Sequence, residues 1–479
     1  MLSTKQTKSN TPTQSGNIFD LPHPKGSLIA GHAADFGRDP LGFLTKCAQE
    51  YGEIIPLRFA NNRALFVTNP KYVERFLKER DLFVKPQLLK RLHDLLGQGL
   101  LTSEGETWFR QRRLAQPVFH QKRIATYGEV MVDYTEKMLA SWKDGETREI
   151  QGEMMRLTFN IVMKILFSSD VTEEQAQSVT HAMSVAADWL MVARKALVPY
   201  LSDRFPSPLN IRYKNAMRQM DKHIYDIIQQ RRASGENPGD LLSMMMQAQD
   251  EDDGSRMSDK QLRDEIATLI FAGHETSANT LTWAWMLLSQ NPEVQIKLRQ
   301  ELKEVLGDSE ALPPTAVRLP TIADLPSLRY TNLVIKESMR LYPVVWNMFS
   351  ETSADCEIGG YHVPAGCTII GSQWVMQRDP RFFEQPEVFN PDRWAGDLEK
   401  QLPPGVYAPF GGGPRICIGR SFALMEVVLL LAAIAQKFEL TLVPGQTIIP
   451  QPTITLQPKD GIKMVLKKLV NENSTTPES

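Results

Sequence analysis

The stretch FGGGPRICIGR, Phe410–Arg420, places one cysteine between an arginine and a glycine, directly ahead of a strongly apolar run. Its glycines allow backbone conformations closed to other residues, so peptide N–H groups can turn toward the sulfur of Cys417. From Ile418 onward the sequence predicts a long apolar helix, which puts Cys417 at the positive end of that helix. Arg415 adds a cation nearby. Most lone cysteines are small buried hydrophobes, but this setting favours a preformed cradle for a thiolate.

The composition of the whole chain limits the class of protein. Its 479 residues are 42% hydrophobic and 23% charged, with a net charge of -2, which is ordinary for a globular protein with a large core. This charge balance argues against nucleic acid as a partner. Four scattered cysteines without a C-x-x-C pair argue against a zinc knuckle or a disulfide framework, and they indicate a reducing compartment.

Both ends of the chain are polar. Residues 1–18 and 470–479 are rich in residues such as Ser, Thr and Asn, and we expect them to be disordered tails. The first tail lacks the apolar stretch of a signal peptide or a membrane anchor, and the longest apolar run, Val427–Ala435, is too short to span a bilayer. We therefore expect a soluble, cytoplasmic protein, with a single domain over 19–469 because no repeat or linker interrupts that range.

Hydrophobic spacing predicts the fold class. From about Pro70 to Lys303, apolar residues recur mostly at spacings of three and four, which is typical of amphipathic helices. Short alternating segments bounded by Gly and Pro predict strands in EIIPLRF, ALFVTN, CEIGGYHVPAGCTII and KFELTLVPG. We expect a mainly α protein with small β-sheets, an α+β fold.

The spacing F-x-x-G-x-R-x-C-x-G is matched by Phe410, Gly413, Arg415, Cys417 and Gly419. This stretch closely resembles the haem-binding loop of the cytochrome P450 family, whose cysteine thiolate is the axial ligand of the haem iron. The resemblance covers nearly the whole chain and implies one haem-binding domain with haem b as its cofactor. It implies Cys417 as the metal ligand, with Phe410, Arg415 and Gly419 as further cofactor-binding residues.

A second motif, AGHET, stands inside a long helical pattern. Taken alone, its threonine would bond back to a carbonyl of the preceding turn, and its glycine would only weaken the helix. The resemblance implies that this segment crosses the face of the haem where dioxygen binds, along a locally opened helix. Ala272 and Gly273 would then contact the cofactor, and Glu275 and Thr276 would be the acid and the alcohol that deliver protons. We assign no catalytic role to His274.

Two further motifs stand in the family's order along the chain. In KESMRLYP, Glu337 and Arg340 share a helical face, and on their own they would form an ordinary surface pair. The resemblance adds Arg393 of FNPDRW as the third member of a buried structural network that holds the cysteine loop. In GETWFRQRRLAQPVF, it implies that Trp108 and Arg112 hold a haem propionate through an indole N–H and a guanidinium.

The chain departs from the family's pattern at two points. Where many relatives carry a propionate-binding arginine after the LYP segment, this chain has Ser350 and Glu351, which leaves the second propionate without an obvious partner. Where the family often has histidine before an R-D-P triplet, this chain has Gln377, whose amide can form hydrogen bonds in its place. Neither change touches the iron ligand.

The resemblance implies a haem-thiolate monooxygenase, which inserts one oxygen atom from O2 into an apolar substrate and reduces the other to water. The alternative is a haem-thiolate protein that does not use O2 in this way, such as an isomerase, a peroxygenase or a sensor. Glu275 and Thr276 favour the monooxygenase, because proton delivery is needed only when dioxygen is the oxidant. No G-x-G-x-x-G follows a strand, so we expect electrons from a separate ferredoxin or flavodoxin with its reductase, docking near Arg420.

The sequence also bears on the class of substrate. The resemblance implies a pocket that includes parts of 83–101 and 189–201 and, as the first candidates, Phe271, Ala272, Val344, Val345 and Trp346. Most of these residues are apolar, which favours a hydrophobic small molecule, either a fatty acid or a terpenoid. The overall pattern looks like bacterial relatives of fatty-acid hydroxylases, and we expect a monomer.

Overall fold

The computed structural model describes residues 17–86, 92–168, 207–250, 254–307 and 318–469, with isolated positions between them (89, 178–179, 181–183, 185–186, 189 and 252). The predicted tails, apart from Asn17 and Ile18, and nearly all of the predicted pocket segment 189–201 lie outside these residues. Ile18, the last residue of the predicted N-terminal tail, begins a 3-10 helix and is buried.

Helices make up most of the described chain. They are α1 (Ala33–Arg38), α2 (Pro40–Tyr51), α3 (Pro70–Lys78), α4 (His93–Leu96), α5 (Gly105–Ala115), α6 (Gln121–Ile124), α7 (Gly128–Ala140), α8 (Ile150–Phe167), α9 (Pro208–Ser234), α10 (Leu241–Gln247), α11 (Asp259–Gln290), α12 (Pro292–Leu306), α13 (Arg329–Leu341), α14 (Gln373–Met376), α15 (Leu398–Gln401) and α16 (Arg420–Lys437). Short 3-10 helices lie at Ile18–Asp20, Gln116–Phe119, Ala125–Tyr127, Ile322–Asp324, Pro391–Trp394 and Gly413–Arg415.

The ends of the long helices follow from local sequence. α11, which carries the AGHET motif, begins with a capping box: the Ser258 side chain accepts from the N–H of Gln261, and the Gln261 side chain accepts from the N–H of Ser258. It ends at Gln290, because Pro292 cannot extend the hydrogen-bond ladder and instead opens α12. α9 ends before Gly235, which takes the left-handed conformation at a φ of 66°.

The strands form small sheets beside the helices. They are β1 (Ile54–Phe59), β2 (Asn62–Val67), β3 (Phe83–Val84), β4 (Thr147–Glu149), β5 (Asn347–Thr352), β6 (Cys356–Ile358), β7 (Tyr361–Val363), β8 (Thr368–Ser372), β9 (Phe438–Leu442), β10 (Pro450–Pro452), β11 (Leu456–Pro458) and β12 (Lys463–Lys468). The largest sheet has the order β1-β2-β8-β5-β3, in which β2 and β8 are parallel and the other pairs antiparallel. The smaller sheets are β4-β12-β9, β6-β7 and β10-β11.

The main core lies where α8, α11 and α16 pack together. α16 is enclosed by protein, since every side chain from Leu429 to Ile434 is 0% exposed, which accounts for its unbroken apolar run. Fully burying each leucine side chain contributes about 1.5–3 kcal/mol. A second, smaller cluster joins α3 to β2 and β8 through Leu65, Val67, Val73, Phe76 and Ile369. The predicted fold class, mainly α with small β-sheets, is confirmed.

None of the described helices combines the length and the apolar character needed to cross a lipid bilayer.

Candidate active site

The Cys417 loop closes on itself and rests on α3. The Cys417 N–H donates to the carbonyl of Phe410 at 2.9 Å. Gly413 has a φ of 62°, and a Cβ built there would lie 2.2 Å from the carbonyl oxygen of Leu77 on α3. Only glycine combines the left-handed conformation with so close a backbone approach. The glycine-rich sequence therefore fixes the place of Cys417, just ahead of α16.

The sulfur of Cys417 lies in a mixed environment. Cys417 is exposed to open space, yet enough protein surrounds it for burial to raise the pKa of its thiol. The N–H of Gly419 and the charges of Arg112 and Arg420 oppose this rise. A metal cation on the sulfur would favour the thiolate more strongly than these groups do. Cys417 thus offers one sulfur as a possible ligand, with a backbone N–H beside it.

Donors for an anion gather beside the loop. Trp108 and Arg112 lie one turn apart on α5, and Arg112 Nη1 donates to the carbonyl of Ile416 at 2.9 Å. The guanidinium carbon of Arg415 lies 5.7 Å from the centre of the Trp108 ring. Arg415 also forms a two-pronged ion pair with Glu104. Within the described residues, Arg112 has no carboxylate partner, so an added anion would find an uncompensated guanidinium here.

Lys85 belongs to the same group of cations, and the sequence analysis missed it. Its Nζ donates to the carbonyls of Leu100 at 3.2 Å and Ser103 at 2.7 Å. Burial, followed by the charge of Arg415, lowers the pKa of Lys85 to about 8. Lys85 follows β3, which pairs with Glu351 in β5. Ser350 and Glu351 stand where many relatives have a propionate-binding arginine. Lys85 therefore supplies a cation in a region where the family's arginine is missing. A lone lysine after the apolar LFV run was its only sequence signal.

The middle of α11 is exposed although both flanks are buried. Leu262–Thr268 and Ser277–Leu288 are buried throughout, whereas Ala272 is exposed and Phe271, Gly273, Glu275 and Thr276 are half-buried. A helix at the centre of the fold can show this pattern only if it borders an internal space at that point. The AGHET motif is the segment that lines this space.

α11 differs from the expectation of a locally opened helix. It is a continuous α-helix from Asp259 to Gln290. The Thr276 hydroxyl donates to the carbonyl of Ala272 at 2.8 Å, and the Thr158 hydroxyl donates to the carbonyl of His274 at 3.0 Å. These side chains add hydrogen bonds to the helical carbonyls without breaking the ladder, which is the behaviour that the threonine predicts on its own.

The two neighbours in the motif, His274 and Glu275, have different surroundings. His274 Nδ1 donates to the carbonyl of Ile270 at 2.7 Å, and its ring meets Phe159 edge-on at 5.6 Å. Burial lowers the pKa of His274, so the ring stays neutral. Glu275 Oε1 accepts a hydrogen bond from Thr455 Oγ1. The acid therefore has a hydrogen-bond partner outside its own helix, and the half-buried histidine bonds back to its own helix.

The predicted substrate residues divide by exposure. Val345 is 41% exposed and Phe271 is half-buried, whereas Val344 and Trp346 are buried. Trp346 stacks on Phe36 with ring centres 6.4 Å apart. Val345 and Phe271 are thus the members of the set that reach open space together with Ala272.

The structure brings the three predicted network residues together. Arg340 donates from Nε and Nη2 to the two oxygens of Glu337, each at 2.8 Å, and Arg393 Nε donates to Glu337 Oε1 at 2.9 Å. Trp394 Nε1 also donates to Glu337 at 2.8 Å, and its ring packs at a tilt of 46° against Tyr407, shortly before the cysteine loop. The buried carboxylate of Glu337 is thus paired with cations and hydrogen-bonded at both oxygens, as burial requires.

Gln377, which stands where the family often has histidine, forms hydrogen bonds through its side-chain amide. It is 0% exposed, and its Nε2 donates to the carbonyls of Met339 at 3.1 Å and Arg340 at 3.0 Å. The main-chain carbonyl of Gln377 accepts from Arg340 Nη1 at 2.8 Å. The amide thus ties α14 to the end of α13.

A buried acid lies between the two helices of the site. Glu426 on α16 is 0% exposed, and burial raises its pKa to about 8. The Ser277 hydroxyl on α11 lies near enough to oppose that rise. Its geometry is nevertheless not that of a hydrogen bond, since neither Glu426 oxygen has such a partner among the described residues. Burial therefore favours the neutral, protonated form of the Glu426 carboxyl.

These residues fit a haem. Among the described residues, no three His, Cys, Asp or Glu side chains gather as metal ligands, so a metal on Cys417 has to bring most of its ligands with it, as a porphyrin does. Lys85, Trp108, Arg112 and Arg415 offer cations and an N–H to the propionates. Fold and site together define a haem-thiolate protein.

The comparison with known families agrees with the site. The family model for cytochrome P450 matches residues 21–465, and the chain belongs to the cytochrome P450 family. It is therefore an oxidoreductase of the monooxygenase class, whose family cofactor is a haem held by cysteine. The predicted family and enzyme class are confirmed.

Several bacterial relatives are similar over nearly their whole length. Cyclooctatin synthase of Streptomyces melanosporofaciens is 35% identical, covering 90% of this chain and 92% of the relative. Cyclooctat-9-en-7-ol 5-monooxygenase of the same organism is 34% identical, covering 91% and 94%. Pentalenene oxygenase of Streptomyces avermitilis is 32% identical, covering 90% and 94%.

Proposed function

We propose that this chain is a haem b monooxygenase that hydroxylates a terpenoid. The reaction inserts one atom of O2 into a C–H bond and reduces the other to water, consuming two electrons and two protons. The observation that carries the proposal is the exposed stretch of α11, which presents an acid and an alcohol to the internal space of a chain that also has the Cys417 loop. The relatives' names support the terpenoid.

Each residue of the site has a distinct task in this proposal. When bound, the haem supplies the iron that activates dioxygen. Cys417 would hold that iron and donate electron density to it, while Trp108, Arg112, Arg415 and Lys85 would hold the propionates. Phe410, Gly419, Ala272 and Gly273 would be the further residues in contact with the cofactor.

Protons reach the site through the acid and the alcohol. Thr276 Oγ1, which now donates to the Ala272 carbonyl, rotates to donate into the internal space, and Glu275 resupplies its proton by way of water. Without this supply, reduced oxygen leaves as peroxide. That loss would waste the electrons without forming product.

The substrate is held mainly by apolar contact. Val345, Phe271 and Ala272 are apolar and keep exposed surface, and in this proposal they line the internal space. Among the described residues, such a lining orients a hydrocarbon skeleton by shape and leaves little to bind a charged headgroup. A fatty acid needs a partner for its carboxylate, whereas a terpenoid hydrocarbon or alcohol does not.

Electrons come from a separate protein in this proposal. A ferredoxin or flavodoxin, reduced by its own reductase, would dock near Arg420, whose side chain is 47% exposed and 3.6 Å from Glu399. An acidic partner would compete with Glu399 for that guanidinium. The chain would act as a monomer in the cytoplasm, where its free thiols stay reduced.

Two measurements test the substrate and the oxidant. In the first, the purified holoprotein is titrated with pentalenene, cyclooctat-9-en-7-ol and a saturated fatty acid, and loss of the iron-bound water is followed by absorption. We expect a shift with the terpenoids at micromolar concentrations and none with the fatty acid. A shift with the fatty acid alone would contradict the terpenoid assignment.

In the second measurement, turnover under 18O2 with ferredoxin and reductase should place one labelled atom in the product. Unlabelled product, or product formed only when peroxide is added, would indicate a peroxygenase. A rearranged product without new oxygen would indicate an isomerase.

A further inference from the structure

The β10–β11 hairpin places a threonine against the proposed proton-delivering acid. Thr455, in the turn of this hairpin, donates from Oγ1 to Glu275 Oε1. Thr455 is 5% exposed, so water competes little for the contact. The two residues are 180 positions apart in the chain, and none of the motifs above includes Thr455.

A second hydrogen bond fixes the direction of the first. Asn279, one turn after Glu275 and 0% exposed, donates from Nδ2 to Thr455 Oγ1 at 3.3 Å. Asn279 Oδ1 in turn accepts from Gln151 Nε2 on α8 at 3.2 Å. Since the Thr455 oxygen accepts from Asn279, its own proton is committed to Glu275. Three donors therefore act in series on the carboxylate and strengthen one another.

The hairpin is held on two sides. Leu456 N–H donates to the carbonyl of Val344 at 2.8 Å, and Trp346 Nε1 donates to the carbonyl of Thr453 at 3.2 Å. On the other side, Trp283 Nε1 of α11 donates to the carbonyl of Leu456 at 3.0 Å. The Thr455 hydroxyl thus sits on a rigid support between α11 and the Val344–Trp346 segment.

We propose that Thr455 is a positioning residue for proton delivery. By holding Oε1 of Glu275, it leaves the second oxygen, Oε2, directed to the internal space beside Thr276. Within the part of the chain that the structure describes, Oε2 accepts no hydrogen bond, and Glu275 is half-buried. This inference rests on the proposed role of Glu275 as the acid.

The test compares five variants as full-length holoproteins. Thr455→Val removes the hydroxyl and keeps the shape, and Thr455→Ser restores the hydroxyl. Thr453→Val is the matched control, because Thr453 lies in the same turn and its hydroxyl bonds only within the turn, to the Thr455 carbonyl at 2.8 Å. Glu275→Gln and the double variant complete a cycle. The readouts are peroxide formed per O2 consumed, kcat and KM with pentalenene as the probe, and the carbon monoxide difference spectrum as a check of folding.

The proposal predicts a change in coupling at unchanged substrate affinity. Thr455→Val should raise peroxide yield and lower kcat by about tenfold, as expected when a buried hydrogen bond is lost, with KM unchanged. Thr455→Ser and Thr453→Val should stay within about twofold of the parent. Adding Thr455→Val to Glu275→Gln should change nothing further.

Three results would overturn the proposal. One is a normal peroxide yield in Thr455→Val while Glu275→Gln is uncoupled, which would leave the proposed function intact. Another is additive loss in the double variant, which would show that Thr455 acts independently of Glu275. The third is a normal peroxide yield in Glu275→Gln, which would remove the acid's role and this inference with it. If Thr455→Val binds no haem, Thr455→Ala takes its place in the same comparison.

Discussion

Arg340 forms two hydrogen bonds of 2.8 Å with Glu337, and both side chains are 0% exposed. Glu337→Gln keeps the shape of this pair and removes the charge, leaving Arg340 and Arg393 without their carboxylate. We expect unfolding free energy to fall by about 3–5 kcal/mol, the usual cost of an unpaired buried charge. Chemical denaturation of the holoprotein measures this difference.

The matched control for that loss is Asp397→Asn. Asp397 pairs with Lys400 at 2.9 Å, but both side chains are more than 70% exposed, at 73% and 78%. We expect a change below about 0.5 kcal/mol, as for other surface pairs. If both substitutions lowered the unfolding free energy equally, burial of the Glu337 network would add nothing to its contribution to stability.

Glu426 should make stability depend on pH. Its pKa is raised to about 8 by burial, whereas in the unfolded chain it is about 4.3. Between these values the folded state holds one more proton than the unfolded state, so stability is greatest at low pH and falls as pH rises, by at most about 1.4 kcal/mol per pH unit. Glu426→Gln should remove this slope. Parallel unfolding curves for parent and variant from pH 5 to about pH 8 would contradict the prediction.

Thr276→Ala should bind haem normally and divert electrons into peroxide. The substitution removes the hydroxyl that borders the internal space, and we expect at least about tenfold less product per electron pair. Thr282→Ala is the control, since the Thr282 hydroxyl makes the same bond to a helical carbonyl, Ala278 at 2.7 Å, but is fully buried. Peroxide and product are measured together, and unchanged coupling in Thr276→Ala would show that protons take another route.

Lys85→Met should weaken haem retention. The substitution keeps the length of the side chain and removes one of the cations gathered beside the Cys417 loop, so we expect haem to leave on the order of tenfold faster. Transfer of haem to apomyoglobin measures the rate. The control is Lys71→Met on the exposed surface of α3, and equal rates for the two variants would remove Lys85 from the propionate site.

Sequence reasoning found the parts of the site that are encoded locally. The Cys417 loop needs glycine at positions such as Gly413, where backbone approaches backbone. This requirement can be recognised from the amino-acid sequence alone. The exposed stretch of α11 was also located, because its small and polar residues interrupt an apolar helix. Its continuous hydrogen bonding was not expected, since the resemblance implied an opened helix and only coordinates show which carbonyls remain paired.

The residues that were missed owe their roles to tertiary packing. Lys85 has a lowered pKa because Arg415 and the surrounding protein enclose it, and Thr455 meets Glu275 across 180 positions. Glu426 looks like an ordinary charged residue on a helix until that helix is found to be enclosed. Neither spacing nor composition carries these facts, because they depend on which elements come together.

The identity of the iron ligand is tested most directly by the absorption spectrum of the reduced carbon monoxide complex. We expect the parent protein to show the red-shifted band of a thiolate-bound haem, Cys417→Ser to lose it, and Cys356→Ser, which alters a half-buried cysteine on β6, to keep it. Persistence of that band in Cys417→Ser would contradict the account.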